Sequence, residues 1–420
     1  MKPTLFRGRI SQSSQDDTQA TSTTRLRAGL KRHGLVRRPE AIRGLVRSNA
    51  LRFVEGNRID LFDNGRDGLE AMREAIGQAE QRVHLETYIL RSDAIGRAFL
   101  DALARKAQDG VEVRLLYDAL GSRGLDPAAL APLSAAGGEV LAFNPLRRLY
   151  PRFAQRRRDH RKILVVDGKL GFTGGLNISD EYTDLLADGR PAWRDVHVRL
   201  RGPVVRDLEA VFLESWFRAD GPALPWQTLL GDEPPRCGEA RCAVLADGPT
   251  YRRRRMRELI VSALEDADRR VRLKSPYFVP GRRVLEALTH AGLRGVRVEI
   301  LLAGRTDHPL LRRAARATIP RLLRGGVEVR EYHAAMWHGK AAVFDDAWAV
   351  IGSSNLDRQS FKHSYEVNLI IEDDEVVARL AERFDRDACE SLPVDARMLS
   401  ERGLVERGMD ALAALIARLV

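Results

Sequence analysis

The sequence has few cysteines and no long apolar run. Its three cysteines, Cys237, Cys242 and Cys389, are too few and too scattered to form a disulfide framework, so we expect reduced thiols and a cytoplasmic compartment. No stretch approaches the roughly 18 apolar residues of a membrane-spanning helix. The basic N-terminus is not followed by the apolar segment of a secretory signal. Any contact with a membrane is therefore expected to be peripheral.

Positive charge is what the sequence has in excess. It contains 69 Lys and Arg residues against 58 Asp and Glu residues, a net charge of +11. Such an excess predicts an anionic partner, namely a nucleic acid, an anionic lipid or a phosphate-bearing substrate. The alternative is that the charge only keeps the chain soluble. Composition leaves these choices open, and the 420 residues suffice for two domains.

One motif occurs twice in the chain, with the pattern H-x-K-x4-D-x6-G-[GS]-x-N. A single His-x-Lys followed by an Asp is a weak signal, but the same spacing in two places is a strong one. The first copy consists of His160, Lys162, Asp167, Gly175 and Asn177, and the second of His338, Lys340, Asp345, Ser353 and Asn355.

The scaffold around the motif is repeated as well. A strand, a helix and a strand are predicted at 83–90, 94–109 and 111–117, and again at 271–279, 283–293 and 296–302. This order indicates parallel strand pairs in an α/β fold that is duplicated along the chain. The predicted regions are a disordered basic tail (1–48), a first domain (49–218), an interdomain connection (219–250), a second domain (251–395) and a C-terminal amphipathic helix (396–420). That last helix either lies in a membrane interface or docks on the core.

The residue types in the motif suit phosphodiester chemistry. On a strand, His160 and Lys162 point to the same side, and a turn after Asp167 brings the Gly-Gly-x-Asn segment back towards them. Lysine and glycine amides bind phosphate oxygens, and histidine attacks phosphorus or transfers protons. We expect each motif Asp to orient a histidine or to balance the charge of the site. Neither a metal nor a cofactor is predicted, because lysine is a poor ligand and no second histidine follows at i+4.

The repeated motif resembles the paired HKD signature of the phospholipase D superfamily. Segments such as LETYIL (85–90), GGLNISDEY (174–182) and GSSNLDRQSF (352–361) are similar to those of bacterial cardiolipin synthases, of a short type without N-terminal transmembrane helices. The resemblance implies two phospholipase D-like α/β sandwich domains with one active site at their interface. It also implies a ping-pong reaction through a phosphohistidine, in which a phosphatidyl group passes between two phosphatidylglycerol molecules and glycerol is released.

The resemblance also implies individual roles. It makes the six His, Lys and Asp residues of the two motifs catalytic, and makes Gly175, Asn177, Ser353 and Asn355 binders of the substrate phosphate. Gly175 departs from the usual pattern, which has Ser at that place. His160 is expected to be the nucleophile and His338 the acid and base, with the reverse assignment open. Glu366 either supports the opposite histidine or is a strand carboxylate without such a role.

The expected partner is anionic phospholipid, reached from the cytoplasmic side of a bacterial cell membrane. Two other functions stay open, namely a hydrolytic phospholipase D and a nuclease of the same superfamily. Nucleic acid is disfavoured as a partner, because such nucleases commonly carry one motif copy per chain. The sequence leaves the oligomeric state undetermined.

Overall fold

A computed structural model describes residues 51–145, 156–183, 189–222, 233–249, 255–401 and 403–419. The tail predicted at 1–48 lies outside the described residues. The strands are β1 (Val54–Phe62), β2 (Arg82–Thr87), β3 (Glu112–Asp118), β4 (Glu139–Phe143), β5 (Arg158–Asp159), β6 (Ile163–Val166), β7 (Leu170–Gly174), β8 (His197–Arg201), β9 (Ala240–Asp247), β10 (Arg270–Ser275), β11 (Arg297–Ala303), β12 (Glu328–Tyr332), β13 (Ala341–Phe344), β14 (Trp348–Gly352), β15 (Ser364–Glu372) and β16 (Leu392–Pro393).

Helices alternate with these strands and cover the sheet. They are α1 (Gly65–Gly77), α2 (Ala94–Gln108), α3 (Ala131–Ala135), α4 (Val204–Arg218), α5 (Arg255–Asp266), α6 (Arg282–Leu293), α7 (Pro309–Arg316), α8 (Ile319–Arg324), α9 (Arg358–Lys362), α10 (Asp374–Cys389), α11 (Ala396–Ser400) and α12 (Leu404–Leu419). Short 3-10 turns lie at Pro127–Leu130 and Asp180–Tyr182.

The two strand-helix-strand units are present where the sequence predicts them. β2 pairs with β3 in parallel, and β10 pairs with β11 in parallel, with α2 and α6 as the crossovers. α2 begins where the Asp93 carboxylate accepts a hydrogen bond from the amide of Gly96, and it ends before Gly110, whose φ of +87° favours glycine. Phe99 and Leu103 lie four residues apart on the buried face of this helix.

All described strands join one sheet whose order reads similarly from either end. The order is β16-β12-β11-β10-β13-β14-β15-β9-β1-β8-β7-β6-β2-β3-β4, and β5 pairs with β15. The antiparallel pair of β1 and β9 lies at the centre. From this pair outwards, β8, β7, β6, β2, β3 and β4 of the first half match β15, β14, β13, β10, β11 and β12 of the second. The duplication seen in the sequence is therefore a pseudo-two-fold arrangement in the fold.

The stretch 219–250 is not only a connection, contrary to the expectation from its many Gly and Pro residues. Its last part forms β9, which pairs with β1 on one side and with β15 on the other. This strand is preceded by Pro234, Pro235 and Gly238. Their presence obscures its short apolar run in the sequence pattern. The two halves therefore share a continuous sheet, and one apolar cluster includes Trp216 of the first half and Trp337 of the second.

The C-terminal helix α12 docks on the protein through a narrow face of small residues. Ala413 and Ala417 are buried beside Ala314 of α7, and Asp410 pairs with Arg313. A second face carries large apolar side chains that stay exposed, namely Val405, Met409, Leu412, Leu415 and Ile416. No helix in the described ranges combines the length and the apolar content needed to cross a bilayer.

Candidate active site

The first histidine is held by a strand of the opposite half. Strand β5 immediately precedes His160 and pairs in parallel with β15, through Arg158 with Ser364 and Asp159 with Tyr365. The backbone N–H of His160 then donates to the Tyr365 carbonyl at 2.9 Å. Two residues on, the Nζ of Lys162 donates to the His160 carbonyl at 2.7 Å. The short β5 strand thus fixes the first His-Lys pair at the junction of the halves.

The second histidine is held in the reciprocal way. The N–H of His338 donates to the Arg194 carbonyl at 2.7 Å, and the N–H of Arg194 donates to the Met336 carbonyl at 2.9 Å. The Nζ of Lys340 donates to the His338 carbonyl and lies 2.9 Å from His338 Nε2. Each half therefore places its histidine against backbone supplied by the other half.

Each imidazole meets a buried carboxylate that also comes from the opposite half. The Nδ1 of His160 lies 3.0 Å from the Oε2 of Glu366, and the Nδ1 of His338 lies 2.7 Å from the Oδ2 of Asp195. A carboxylate on Nδ1 fixes the tautomer and leaves the Nε2 lone pair for chemistry. The contact that the sequence suggests for Glu366 is present, and the equivalent role of Asp195 was missed.

A signal for Asp195 exists in the sequence, although it is weak. Gly174 pairs with His197 in β8, just as Gly352 pairs with Asn368 in β15. Asp195 precedes His197 by two residues, and Glu366 precedes Asn368 by two. An alignment of the strands that follow each motif would have matched the two carboxylates. The match is easily overlooked, because one residue is Asp and the other Glu and the residues around them differ.

The difference between Gly175 and Ser353 follows from these carboxylates. A Cβ built on Gly175 would lie 1.9 Å from Asp195 Oδ1, so glycine is required for the carboxylate to reach His338. Ser353 is engaged in the other half, where its hydroxyl donates to Glu366 and accepts from the amide of Val367 at 3.0 Å. Both residues therefore serve the carboxylates, and the phosphate binding that the sequence predicts for them stays a prediction.

The motif aspartates do not orient the histidines, which corrects the role expected for Asp167 and Asp345. The Asp167 carboxylate accepts from the amides of Glu80, Gln81 and Arg82 at 2.7–3.0 Å. Asp345 does the same with the amides of residues 268–270 at 2.8–3.0 Å. Both lie at the far end of the short strand that follows the histidine, at a turn with φ of +53°. They tie that turn to the neighbouring strand and are remote from the histidines.

The two asparagines lie close to the histidines but in different settings. The amide nitrogen of Asn177 donates to the hydroxyl of Tyr182 at 2.9 Å, and that hydroxyl lies 3.1 Å from His338 Nδ1. Tyr182 was not singled out by the sequence, because a tyrosine five residues after the asparagine has no counterpart in the second copy. The side-chain oxygen of Asn355 is buried and has no hydrogen-bond partner among the described residues. Phosphate binding by the asparagines stays a prediction.

Burial keeps both imidazoles neutral near pH 7. Burial lowers the pKa of His338 to about 4, with Lys340 adding to the effect and Asp195 opposing it. The pKa of His160 is lowered for the same primary reason, and Glu366 opposes the shift more than Lys162 adds to it. Neutral imidazole is the form that attacks phosphorus, so the free protein holds both rings in a nucleophilic state.

The pKa of each motif lysine is lowered as well, and the charges that act on Lys162 include one from the opposite half. Burial lowers the pKa of Lys162 to about 7, and the next largest cause is the charge of Lys340. Burial likewise lowers the pKa of Lys340 to about 8. Two ammonium groups within electrostatic reach in a buried site favour binding of an anion between them. A phosphate diester supplies that negative charge.

Two histidines, two lysines and two crossed carboxylates at the junction of duplicated α/β halves are the arrangement of a phospholipase D-like protein. Residues 72–189 and 260–388 match the family described as "Cardiolipin synthase, PLD-like domain". The chain belongs to this family.

Curated relatives agree with the family match over most of the chain. "Cardiolipin synthase 1" of Staphylococcus epidermidis is 32% identical over 91% of this chain and 78% of the relative. "Cardiolipin synthase" of Geobacillus thermodenitrificans is 35% identical over 86% of this chain and 72% of the relative. The "Probable cardiolipin synthase YwiE" of Bacillus subtilis is 32% identical over 89% and 74%, respectively.

Among solved structures, the fold is similar to that of a phosphatidylserine synthase from Haemophilus influenzae. The TM-score is 0.70 at 14% sequence identity, and the match covers 90% of this chain and 99% of that one. A polyphosphate kinase from Porphyromonas gingivalis matches with a TM-score of 0.55 at 10% identity, over 87% of this chain and 53% of that one. At these identities the likeness concerns the fold alone.

Proposed function

We propose that this protein is a cardiolipin synthase that transfers a phosphatidyl group from one phosphatidylglycerol to the glycerol hydroxyl of a second. The observation that carries the proposal is the pair of His-Lys half-sites, each completed by a carboxylate from the other half. This site supplies one nucleophile and one proton-transfer group on opposite sides of a bound phosphate. The names of the relatives support the choice of substrate.

In the first step, Nε2 of His160 attacks the phosphorus of the donor lipid. The bond from phosphorus to Nε2 forms, and the bond from phosphorus to the glycerol headgroup oxygen breaks. Protonated His338 gives its proton to that oxygen, and glycerol leaves. The phosphate raises the depressed pKa of His338 by its negative charge, while Lys162 and Lys340 hold its non-bridging oxygens.

In the second step, a hydroxyl of the acceptor lipid occupies the place of the lost glycerol. Neutral His338 accepts the hydroxyl proton as the oxygen attacks phosphorus, and the bond to His160 breaks. Cardiolipin is released, His160 returns to its neutral form, and His338 is again protonated. Water in place of the acceptor would give phosphatidic acid.

Incubation with phosphatidylglycerol vesicles, followed by mass analysis of the lipids, tests the proposal. Cardiolipin and glycerol in equal amounts are the expected products. Phosphatidic acid as the main product would make the protein a hydrolase. Absence of lipid turnover together with cleavage of DNA would make it a nuclease.

The proposal includes peripheral contact with an anionic membrane through the exposed apolar face of α12. Val405, Met409, Leu412 and Ile416 recur at helical spacing, and Leu412 is 57% exposed. The helix docks on the protein through its alanine face, so its apolar face remains exposed. A lipid bilayer is the proposed occupant of this face, because the proposed substrates reside in it. The position of α12 agrees, since α12 packs on α7 and α7 begins beside Asp307, near the active site. Unpaired cysteines support the cytoplasmic side.

Sedimentation with vesicles of phosphatidylglycerol in phosphatidylcholine tests this contact. Replacing Leu412 and Ile416 together with Ser should lower the bound fraction at least about tenfold, because both side chains lose apolar burial in the interface. Leu293→Ser, at an exposed leucine on α6, is the matched control. Equal binding by all three proteins would contradict the role of α12.

A further inference from the structure

A cavity of about 780 Å³ lies on the His338 side of the candidate active site. Its lining includes Trp193 from the first half and Arg305, Thr306, Asp307 and Arg312 from the second. The size is within the range of small-ligand sites, and it exceeds what a bare glycerol needs. This space, called the His338 cavity below, has no part in the chemistry described above.

Two walls of the His338 cavity contact the surroundings of the catalytic imidazole. The Trp193 ring centroid lies 5.6 Å from that of His338. Asp307 accepts a hydrogen bond of 2.6 Å from the Tyr277 hydroxyl, and the Tyr277 ring lies 6.1 Å from His338. Beside His160, the ring contact among the described residues is with Tyr88, whose centroid lies 4.8 Å away. The cavity therefore adjoins the His338 half-site.

The chemistry of the lining suits a phosphate with hydroxyl groups beside it. Arg312 is held by the buried carboxylate of Glu331 at 2.7 Å, and His333 lies 3.2 Å from the same carboxylate. By contrast, the guanidinium of Arg305 makes no hydrogen bond or ion pair with any described residue. It is exposed at the cavity and available to an anion. Asp307 and Thr306, its neighbours, offer oxygens that accept from hydroxyls.

The proposed mechanism determines which molecule extends into this space. The oxygen that leaves in the first step and the oxygen that attacks in the second both lie at His338. The remainder of each alcohol must extend away from the phosphorus on that side. The first alcohol is glycerol, and the second is a phosphatidylglycerol, whose own phosphate lies three carbons from the attacking hydroxyl. Only the second alcohol brings an anion into the cavity.

We infer that the His338 cavity binds the phosphoglycerol headgroup of the acceptor lipid, with Arg305 contacting the acceptor phosphate. This inference rests on the proposed function and adds the acceptor site to it. The cavity thereby selects a phosphate-bearing alcohol over free glycerol and water. Arg305 acts as a specificity residue for the second step and has no role in forming the phosphohistidine.

An acceptor competition assay with Arg305→Gln tests the inference. Vesicles of phosphatidylglycerol in phosphatidylcholine are incubated with isotope-labelled free glycerol. Transfer to lipid gives cardiolipin, and transfer to free glycerol gives labelled phosphatidylglycerol. Both products come from the same phosphohistidine, so their ratio reports the acceptor alone. The variant should lower the ratio of cardiolipin to labelled lipid about tenfold, the effect of losing one charge-assisted hydrogen bond, while headgroup exchange continues.

Arg282→Gln is the matched control, because Arg282 is an exposed arginine on α6 with an 85% exposed side chain. Its ratio should equal that of the wild type. An unchanged ratio in Arg305→Gln, or an equal loss of both products, would overturn the acceptor site while leaving the synthase activity established. Failure of the wild-type protein to form cardiolipin would instead overturn the proposed function, and the acceptor site with it.

Discussion

The two half-sites contain the same histidine and lysine but stabilise their partner carboxylates differently. On one side a short carboxylate, Asp195, reaches His338 over a glycine at 175. On the other side a longer carboxylate, Glu366, reaches His160 and is held by the hydroxyl of Ser353. The longer side chain of Glu366 and the shorter one of Asp195 thus both reach Nδ1 of their histidine. In each imidazole this leaves Nε2 without a carboxylate contact from the described residues. The comparison teaches that residues equivalent in the motif are matched to different partners and are not interchangeable.

Removing either histidine should give the largest effect and should separate the two roles. We expect His160→Ala and His338→Ala each to lower cardiolipin formation at least about 10³-fold. Intact mass measurement after mixing with phosphatidylglycerol should show a phosphatidyl adduct in His338→Ala and none in His160→Ala. An adduct on His338 in the His160 variant would reverse the assignment. Near-normal turnover by either variant would refute the shared site.

Replacing carboxylates should distinguish the crossed pair from the motif aspartates. Asp195→Asn should lower kcat roughly 10³-fold, because the amide no longer fixes the tautomer of His338. The alkaline limb of its pH profile, which reports loss of the proton from the acid His338, should move to lower pH, since Asp195 raises the pKa of His338. Asp167→Asn should keep kcat within a few-fold and lower the free energy of unfolding by about 1–3 kcal/mol, because backbone amides lose their acceptor. The reverse ranking of kcat would restore the catalytic role expected for Asp167.

Exchanging the small residues should show that the copies are not equivalent. Gly175→Ser should lower kcat on the order of 10²-fold, because its Cβ would displace Asp195. Ser353→Gly should lower kcat only about three- to tenfold, since Glu366 loses one hydrogen bond. Steady-state kinetics on both variants, with circular dichroism as a check of folding, makes the comparison. Equal losses would argue that the two carboxylates are held alike.

The lysines predict opposite pH dependences for activity and stability. Binding of a phosphate needs charged lysines, so kcat/KM should fall as the pH rises through about 7 to 8. The unfolded chain keeps these lysines protonated to higher pH than the folded one, so stability should rise over the same range. Urea unfolding and kinetics at pH 7 and 9 measure both. The stability gain should shrink in Lys162→Met, and an undiminished gain would assign it to other groups.

A metal chelator should have the smallest effect. In the proposed mechanism, Lys162 and Lys340 supply positive charge to the phosphate. EDTA at millimolar concentration is therefore expected to leave the rate of cardiolipin formation within a factor of about two. Readdition of Mg²⁺ serves as the control. A large loss that Mg²⁺ restores would contradict phosphate binding by the lysines alone.

Much of the fold was predictable because the repeat and the parallel strand pairs have strong local signals. The helices after β2 and β10 follow from apolar spacing and a terminal glycine, and they lie within a residue or two of the expected ranges. β9 was missed because it is a strand of eight residues behind a Pro- and Gly-rich stretch, and its place depends on pairing with β1 and β15. Pairing between distant segments leaves little trace in local composition.

The candidate site was predictable where it lies within the motif and unpredictable where it crosses between the halves. His160 and His338 lie at the junction, each in contact with a carboxylate of the opposite half. Asp167 was given the wrong role because proximity in sequence suggested proximity to the histidine, whereas the strand between them carries it away. Asp195 and Tyr182 contact a histidine more than 140 residues further along the chain, as the separations of 143 and 156 residues show.

The near-palindromic order of the sheet resembles what two identical chains form about a two-fold axis. In a dimer of identical chains, one substitution alters both copies of a site. In a single chain with two halves, a substitution alters one copy only. The equivalent positions Glu86 and Lys274 show this freedom, since both are buried next to the strand after the histidine, yet one is a carboxyl side chain and the other an amine. Fusion therefore allows the two half-sites to differ residue by residue, as the proposed donor and acceptor roles require, without any new element of structure.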